Sequence, residues 1–357
     1  MIIYVALLAI VLAISFGSFF DEYEQHISAV YVGDITTDSN DSGLENVKFN
    51  MFRALALIDG VQYSAERFEV RKTAKILLRK SNSNSTRVLD RAEDPRLIVF
   101  KSEVYLFYII PHIIPHGGIC ITHFDNINPI LLSFPEMKGV QKNWAPFVYN
   151  ESLLIIYSFD PLIVLSYDLN EEGKCKVHFS QEGASLSFQT SQLYLRGGSN
   201  LIQFRDTHYL IGACHSRYKH KRWFHFSHVV IVDASSWRLL FVSKILRLQY
   251  DGTKYNHSEN TLLDLKPNCI QDPVSLFQKH SARGNNLISS EQMEKFFLTV
   301  NIHDASTFLY AITLSPLDLI QEELSFNGTR PVGYWDGKVR DEVIYFSRQI
   351  ASYKGLD

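Results

Sequence analysis

From residue 97 onwards the chain alternates short apolar runs with brief polar interruptions, a pattern that predicts β-hairpins. Four units show it, the last more weakly: residues 97–110, 146–159, 199–216 and 296–314. The first three have predicted polar turns at residues 101–103, 150–152 and 205–207. Several strands recurring about every 40–50 residues indicate the blades of a β-propeller. A β-sandwich is the main alternative, but it does not explain why polar motifs recur at the same place in each unit.

The other segments define the predicted domain organisation. Residues 1–20 are apolar and uncharged, residues 21–45 are polar and acidic and predict a stem or loop, and residues 46–357 are assigned to the propeller. Within the propeller, residues 81–92 are predicted as a loop and residues 287–297 as a short helix.

The apolar run at residues 1–20 is long enough to cross a bilayer, which takes about 18 or more apolar residues. A cleaved signal peptide is the alternative, since Ser15 and Gly17 are small residues, although the basic start typical of such peptides is missing. Either way the run favours the secretory pathway. The protein is predicted to be secreted, or lumenal with membrane attachment through residues 1–20.

The cysteines and glycosylation sequons agree with that compartment without proving it. The four cysteines can form up to two disulfides or remain four buried thiols, and both alternatives stay open: Cys120, Cys175, Cys214 and Cys269. Asn-x-Ser/Thr sequons permit glycosylation at Asn40, Asn84, Asn150, Asn256 and Asn327.

The overall composition excludes two broad classes of protein. The chain of 357 residues is 46% hydrophobic and 20% charged, a balance that argues against disorder. Its formal net charge of -3 argues against a nucleic-acid-binding protein, which is usually basic. No Walker loop, nucleophile elbow or zinc-protease motif is present, and the histidines lack metal-ligand spacing. We therefore expect neither a cofactor nor a metal.

Four short polar segments stand at or beside the starts of strand-like runs and carry the candidate chemistry. They are Glu93-Asp94-Pro95-Arg96, Gln141-Lys142-Asn143-Trp144-Ala145-Pro146-Phe147, Leu195-Arg196-Gly197-Gly198-Ser199 and His303-Asp304-Ala305-Ser306. Acids, bases and an aromatic residue at several strand starts predict one site, assembled at the mouth of the repeated β-structure.

These segments, in this order, resemble the motifs of a five-bladed β-propeller family. That family contains the β-mannoside phosphorylases (glycoside hydrolase family 130) and related β-mannosyltransferases. The resemblance spans residues 90–315 and implies an all-β, five-bladed propeller with Asp94 as the catalytic acid. The resemblance and the motifs imply that ten further residues bind the substrate: Glu93, Arg96, Lys142, Asn143, Trp144, Arg196, Gly197, Gly198, His215 and Asp304. The chain departs from the family pattern at Asn301-Ile302-His303-Asp304 and at Ala145, where Ser is common.

The residue types leave two readings open at several of these positions. Glu93 and Asp94 are neighbours, and neighbours in a strand point to opposite faces, so they cannot be the two carboxylates that flank one glycosidic bond. One is expected to face the site and the other to brace the backbone or the arginine. Trp144 is either a sugar-stacking platform or part of a blade core. The two glycines of the third segment allow close approach of a ligand or merely a tight bend. The basic run at residues 217–222 could receive a diphosphate or be a solvated loop.

A single acid and a cationic pocket suit chemistry on a sugar phosphate. The cations offered are Arg96, Lys142, Arg196, His215 and Arg217. The main hypothesis is a mannosyltransferase-like enzyme that takes a sugar phosphate or nucleotide sugar and a glycan acceptor. Within the enzyme class, a β-mannoside phosphorylase or glycoside hydrolase is the alternative. Outside it, the sequence is also compatible with a non-catalytic glycan-binding propeller and with a purely structural propeller.

Overall fold

The computed structural model describes fourteen stretches of the chain. They are residues 27–34, 50–70, 73–111, 118–134, 142–181, 193–220, 222–246, 248, 271–277, 294–302, 306–316, 319–320, 343–344 and 347–348. Within them, 21 β-strands form five separate antiparallel sheets. Each sheet is one blade of a five-bladed β-propeller, which confirms the predicted fold class.

The first four blades are consecutive in the chain. Blade 1 contains β2 (Asn50–Ile58), β3 (Val61–Val70), β4 (Thr73–Lys80) and β5 (Thr86–Asp90). Blade 2 contains β6 (Glu93–Phe100), β7 (Glu103–Ile110), β8 (Gly118–His123) and β9 (Ile130–Leu131). Blade 3 contains β10 (Ala145–Tyr149), β11 (Ser152–Phe159), β12 (Leu162–Tyr167) and β13 (Cys175–Ser180). Blade 4 contains β14 (Leu193–Gly197), β15 (Ile202–Gln203), β16 (Tyr209–His220), β17 (Arg222–Asp233) and β18 (Arg238–Val242).

Blade 5 combines the two ends of the propeller. It contains β19 (Gln271–Phe277), β20 (Glu294–Ile302), β21 (Ser306–Leu314) and, as its outermost strand, β1 (Ile27–Asp34). β1 pairs antiparallel with β21, from Ile27 opposite Leu314 to Asp34 opposite Phe308. The stem predicted over residues 21–45 is therefore wrong in its central part, because residues 27–34 form a strand of the propeller.

The hairpin turns follow from residues that adopt left-handed backbone conformations. Lys101 and Ser102 both have positive φ, and so do Asn150 and Glu151. Two successive positive φ values give the turn whose twist matches the flanking strands. The turns predicted at residues 101–103 and 150–152 are confirmed.

Two local predictions need correction. The loop predicted over residues 81–92 contains β5. The helix predicted over residues 287–297 is wrong for its last four residues, since β20 begins at Glu294, and residues 287–293 lie outside the described residues. The fourth hairpin forms as the second and third strands of blade 5. The inner strand of that blade is β19.

The long apolar runs exist because each sheet is covered on both faces. Along β11, Leu154 and Ile156 pack into a core shared with blade 4, whereas Leu153 and Ile155 pack into a core shared with blade 2. All four side chains are at most 1% exposed. A strand with two buried faces needs no polar alternation, so its sequence is a continuous apolar run.

Closure of blade 5 by β1 gives a first prediction. A chain lacking residues 1–34 should melt several degrees below a chain lacking only residues 1–26, because the edge of β21 loses its hydrogen-bonded neighbour. Thermal unfolding followed by circular dichroism measures the difference. Equal melting temperatures for the two truncations would contradict the closure.

Candidate functional site

The strands β2, β6, β10, β14 and β19 are the innermost strands of their blades, and contacts between neighbouring blades run through them. The starts of β6 and β10 lie at the same end of the propeller as the Arg196-Gly197-Gly198 segment and Asp272 of β19. Lys142 contacts Glu93 there, and Arg96 contacts Gly198 and interacts with Asp272. This end contains most of the residues that the sequence analysis selected, and we call it the axial site.

A β-bulge at the start of β6 defines the acidic part of the axial site. The pairing of β6 with β7 shifts between Glu93 and Arg96, and Asp94 has a φ of 50°. As a result both carboxylates approach the same two cations. Asp94 lies 2.8 Å from Arg67 and 4.0 Å from Lys142, whereas Glu93 lies 3.9 Å from Arg67 and 3.2 Å from Lys142. The expectation that the two acids point to opposite faces is wrong, because the bulge removes the regular alternation.

Arg67 is the central cation of this cluster, and the sequence analysis missed it. It lies on β3 in blade 1, donates a further hydrogen bond to Glu69 at 3.0 Å, and packs over the ring of Phe52. Burial by itself lowers the pKa of Arg67, but Asp94, Glu93 and Glu69 outweigh burial and raise it. Arg67 therefore carries a permanent positive charge between two carboxylates.

Arg96 holds blades together at the axis. The guanidinium is buried, its Nε donates to the Gly198 carbonyl at 2.6 Å, and its Nη1 donates to the Pro95 carbonyl at 3.0 Å. Burial lowers the pKa of Arg96, while Asp94 and Asp272 oppose that shift. Among the described residues, Nη2 has no hydrogen-bond partner. Arg96 is thus mainly a brace between blades 2 and 4, and only Nη2 is left to meet a ligand.

Gly197 and Gly198 are required by the contact between blades. A Cβ on Gly197 would collide with the carbonyl oxygen of Asn143, and a Cβ on Gly198 would lie 2.7 Å from the Ala213 carbonyl oxygen and 2.8 Å from Pro273. Asn143 itself has a φ of 62°, a conformation that Asn tolerates better than most residues. The glycines therefore admit neighbouring protein rather than a ligand.

Trp144 does not form a sugar-stacking platform. Its side chain is 2% exposed, packs edge-on against Tyr157 at 5.7 Å, and contacts the tilted ring of Phe134 at 6.2 Å. The prediction that Trp144 belongs to a blade core is the correct one.

His215, His225 and Asp272 form a second polar group at the axial site. His215 Nδ1 lies 3.6 Å and His225 Nδ1 3.0 Å from the same Asp272 oxygen, and the two imidazole rings stack 5.0 Å apart. Burial lowers the pKa of His215 to about 3, against an upward influence of Asp272. Burial therefore disfavours the charged form of His215, which opposes its predicted role as a phosphate-binding cation.

Asp272 is the buried carboxylate of this group. Burial raises its pKa, but the nearby His225, His215 and Arg96 outweigh burial and hold the pKa well below its ordinary range. Asp272 was not predicted from the sequence, although a signal was present. Asp272-Pro273 repeats the dipeptide Asp94-Pro95, and in both places the inner strand starts with a bulge.

The structure describes most of the basic run at residues 217–222, but it does not describe Asp304 of the last motif. Residues 217–220 belong to β16 and Arg222 begins β17, so the run is a strand hairpin rather than a loop. The guanidinium of Arg217 lies 3.8 Å from the ring centre of Trp223. Arg196 is half-buried and influences the His215 imidazole electrostatically. Asp304 lies outside the described residues.

The described cysteines are buried free thiols: Cys120, Cys175 and Cys214. Burial raises the pKa of the Cys120 and Cys175 thiols to about 12 and that of Cys214 further still. The prediction of free thiols is therefore correct for these three, and Cys269 lies outside the described residues.

Among the helices in the described part of the chain, none has the length and apolar character needed to span a membrane. The apolar run at residues 1–20 is not among the described residues.

Comparisons with known proteins give structural likeness only. No protein-family model and no curated protein matches the chain. Similar solved structures include a hypothetical protein from Leishmania major, with 11% identity, a TM-score of 0.49, and coverage of 85% of this chain and 94% of the other. An α-L-arabinofuranosidase from Podospora anserina in complex with cellotriose has 8% identity, a TM-score of 0.47, and coverage of 81% and 96%. A GH43_1 enzyme from Xanthomonas citri in complex with xylose has 7% identity, a TM-score of 0.41, and coverage of 78% and 90%. At these identities the likeness does not decide activity.

The buried histidines predict acid sensitivity. Burial lowers the pKa of His228, which pairs with Ser243 and Ser216, from its ordinary 6.5 to about 4. Between those values the unfolded chain binds a proton that the folded chain does not, so stability falls as the pH decreases. The free energy of unfolding should fall by up to about 1.4 kcal/mol per pH unit for this residue alone.

Denaturant titrations from pH 7 to pH 4.5 test this, with His228→Gln as the variant because Gln keeps one donor and one acceptor. We expect a shallower pH dependence in His228→Gln than in the unmodified chain. Identical slopes would show that His228 does not contribute.

Proposed function

We propose that this propeller is a carbohydrate-active enzyme that cleaves glycosidic bonds at the axial site, with Asp94 as the proton-transferring carboxylate. The observation that carries the proposal is the convergence of Glu93 and Asp94 on Arg67 and Lys142. A glycosidase of the common kind needs two carboxylates at one scissile bond. The bulge in β6 provides two on one site, where a regular strand would have separated them.

The surroundings of the two acids support this assignment. Glu93 and Lys142 keep part of their side chains exposed, at 17% and 38%, whereas Asp94 is 8% exposed. A deep carboxylate beside a more exposed one suits two different tasks, proton transfer at the glycosidic oxygen and stabilisation of positive charge at the sugar ring. Arg67 fixes the orientation of Asp94 with a 2.8 Å hydrogen bond.

Transfer from a sugar phosphate or nucleotide sugar is a second candidate reaction. Arg196, Lys142 and the free Nη2 of Arg96 are cationic groups at the same end of the propeller, and such groups stabilise a phosphate leaving group or nucleophile. The resemblance to β-mannosyltransferases and β-mannoside phosphorylases supports this candidate reaction. Both candidates use Asp94, but they differ in the donor that they consume.

Asp94→Asn tests the proposed role. The full chain is assayed with aryl glycosides, mannosides with inorganic phosphate, mannose 1-phosphate and GDP-mannose. We expect turnover of a glycoside, reduced about 100-fold or more in Asp94→Asn because a positioned proton-transfer group is lost. Asp90→Asn is the matched control, since Asp90 is exposed, pairs with Lys75 on the outside of blade 1, and should leave activity unchanged.

The donor that is consumed separates the two candidate reactions. Turnover restricted to mannose 1-phosphate or GDP-mannose and lost in Asp94→Asn would establish the transfer reaction. Full activity of Asp94→Asn on any donor would refute the role of Asp94. Glycan binding without turnover, equal in the unmodified chain and Asp94→Asn, would establish a binding propeller.

A further inference from the structure

We propose that His215, His225 and Asp272 bind one divalent transition-metal ion, and that Zn²⁺ fits this ligand set. The three residues come from β16, β17 and β19, so two strands of blade 4 and the inner strand of blade 5 supply them. Their ligand atoms all lie within 4.8 Å of one another. Two imidazoles and one carboxylate are a ligand set that proteins use for zinc.

The pairing of the strands explains why the ligands converge. His215 lies opposite Ser227 and His225 lies opposite Arg217, so the two histidines are diagonal neighbours on adjacent strands. Their rings are nearly parallel, with 21° between the planes. Both Nδ1 atoms approach the same oxygen of Asp272, which reaches them from the neighbouring blade.

The distances from Asp272 to the two histidines are close to those between ligand atoms of a zinc site. Zinc–ligand bonds of about 2.0–2.1 Å in a tetrahedral site place two ligand atoms about 3.4 Å apart. The Asp272 oxygen lies 3.0 Å from His225 Nδ1 and 3.6 Å from His215 Nδ1, on either side of that value. Shifts of a few tenths of an ångström would bring both distances to the separation between two ligand atoms of a tetrahedral zinc site.

Unpaired buried nitrogens are the second, independent observation. His215 is fully buried, yet neither of its ring nitrogens has a hydrogen-bond partner among the described residues, and the same holds for Nε2 of His225. Buried polar atoms without partners are rare in folded proteins and require an explanation. A metal ion would give one of the His215 nitrogens a partner.

The neighbouring charges constrain what else the ion would bind. Arg96, Arg196 and Arg217 influence this group electrostatically and oppose a bare divalent cation. An anion in the open fourth position would offset that repulsion. Three protein ligands with an open position are the arrangement of non-structural zinc sites. The ion would be separate from Glu93 and Asp94, so the inference does not depend on the proposed glycosidic reaction.

Metal binding to the full chain tests the inference directly. Chelator-treated protein is titrated with Zn²⁺, and bound metal is measured after gel filtration. We expect one Zn²⁺ per chain, a higher melting temperature with Zn²⁺, and an affinity at least 10-fold lower in His225→Gln. His208→Gln is the matched control, because His208 Nε2 lies 3.6 Å from Asp233 at the surface and no second histidine of the described residues joins this pair. This control should bind Zn²⁺ as the unmodified chain does.

Three results would overturn the inference. They are absence of bound Zn²⁺ in the unmodified chain, equal affinity in His225→Gln, and loss of binding in His208→Gln. If His225→Gln does not fold, Co²⁺ binding to the unmodified chain decides instead. Intense visible absorption bands of four-coordinate Co²⁺ would support the site, and their absence would leave a hydrogen-bonded His225–Asp272 pair without metal.

Discussion

The requirement that every sheet bury both faces around one axis is the constraint on which the rest of this structure depends. A single antiparallel sheet with two apolar faces is not stable in water, because each face needs a covering layer. Five blades packed in a ring provide that cover, since each blade lies between two others. The N-terminal strand β1 adds the outer strand of the last blade, so both ends of the propeller meet in one sheet.

The same constraint determines where chemistry can occur. The inner strands are crowded at the axis. Irregular backbone at the starts of β6 and β10 and at the end of β14 brings polar side chains together. Asp94 and Asn143 have left-handed conformations there, and Gly197 and Gly198 make room for the backbones of the neighbouring blades. Irregular backbone at a sheet end often marks a functional site, because it re-aims side chains that a regular strand would separate.

Charge balance then separates the axial site into two parts. Glu93 and Asp94 share Arg67 and Lys142, and each of these contacts joins groups from different blades or strands. Asp272 is held charged by histidines and by Arg96, although it is buried. Since buried charges are costly unless paired, these contacts stabilise the ring of blades as well as the polar centre.

The amino-acid sequence by itself determined the class of fold and the place of the first site residues. Apolar runs with brief polar turns indicated blades, and the segment from Glu93 to Arg96 was correctly placed at a strand start. Local patterns are sufficient for such features because turns and apolar runs act over a few residues. The sequence did not reveal β1 as the closing strand, nor Arg67 and His225, because nothing near these residues indicates which distant strand will lie beside them.

Only the tertiary structure decided that Trp144 is buried, that the bulge turns Glu93 and Asp94 towards the same cations, and that Asp272 meets two histidines of another blade. Each of these outcomes depends on packing between blades. Partners as far apart in the chain as Arg67 and Asp94, or Arg96 and Gly198, meet only when the ring of blades has closed.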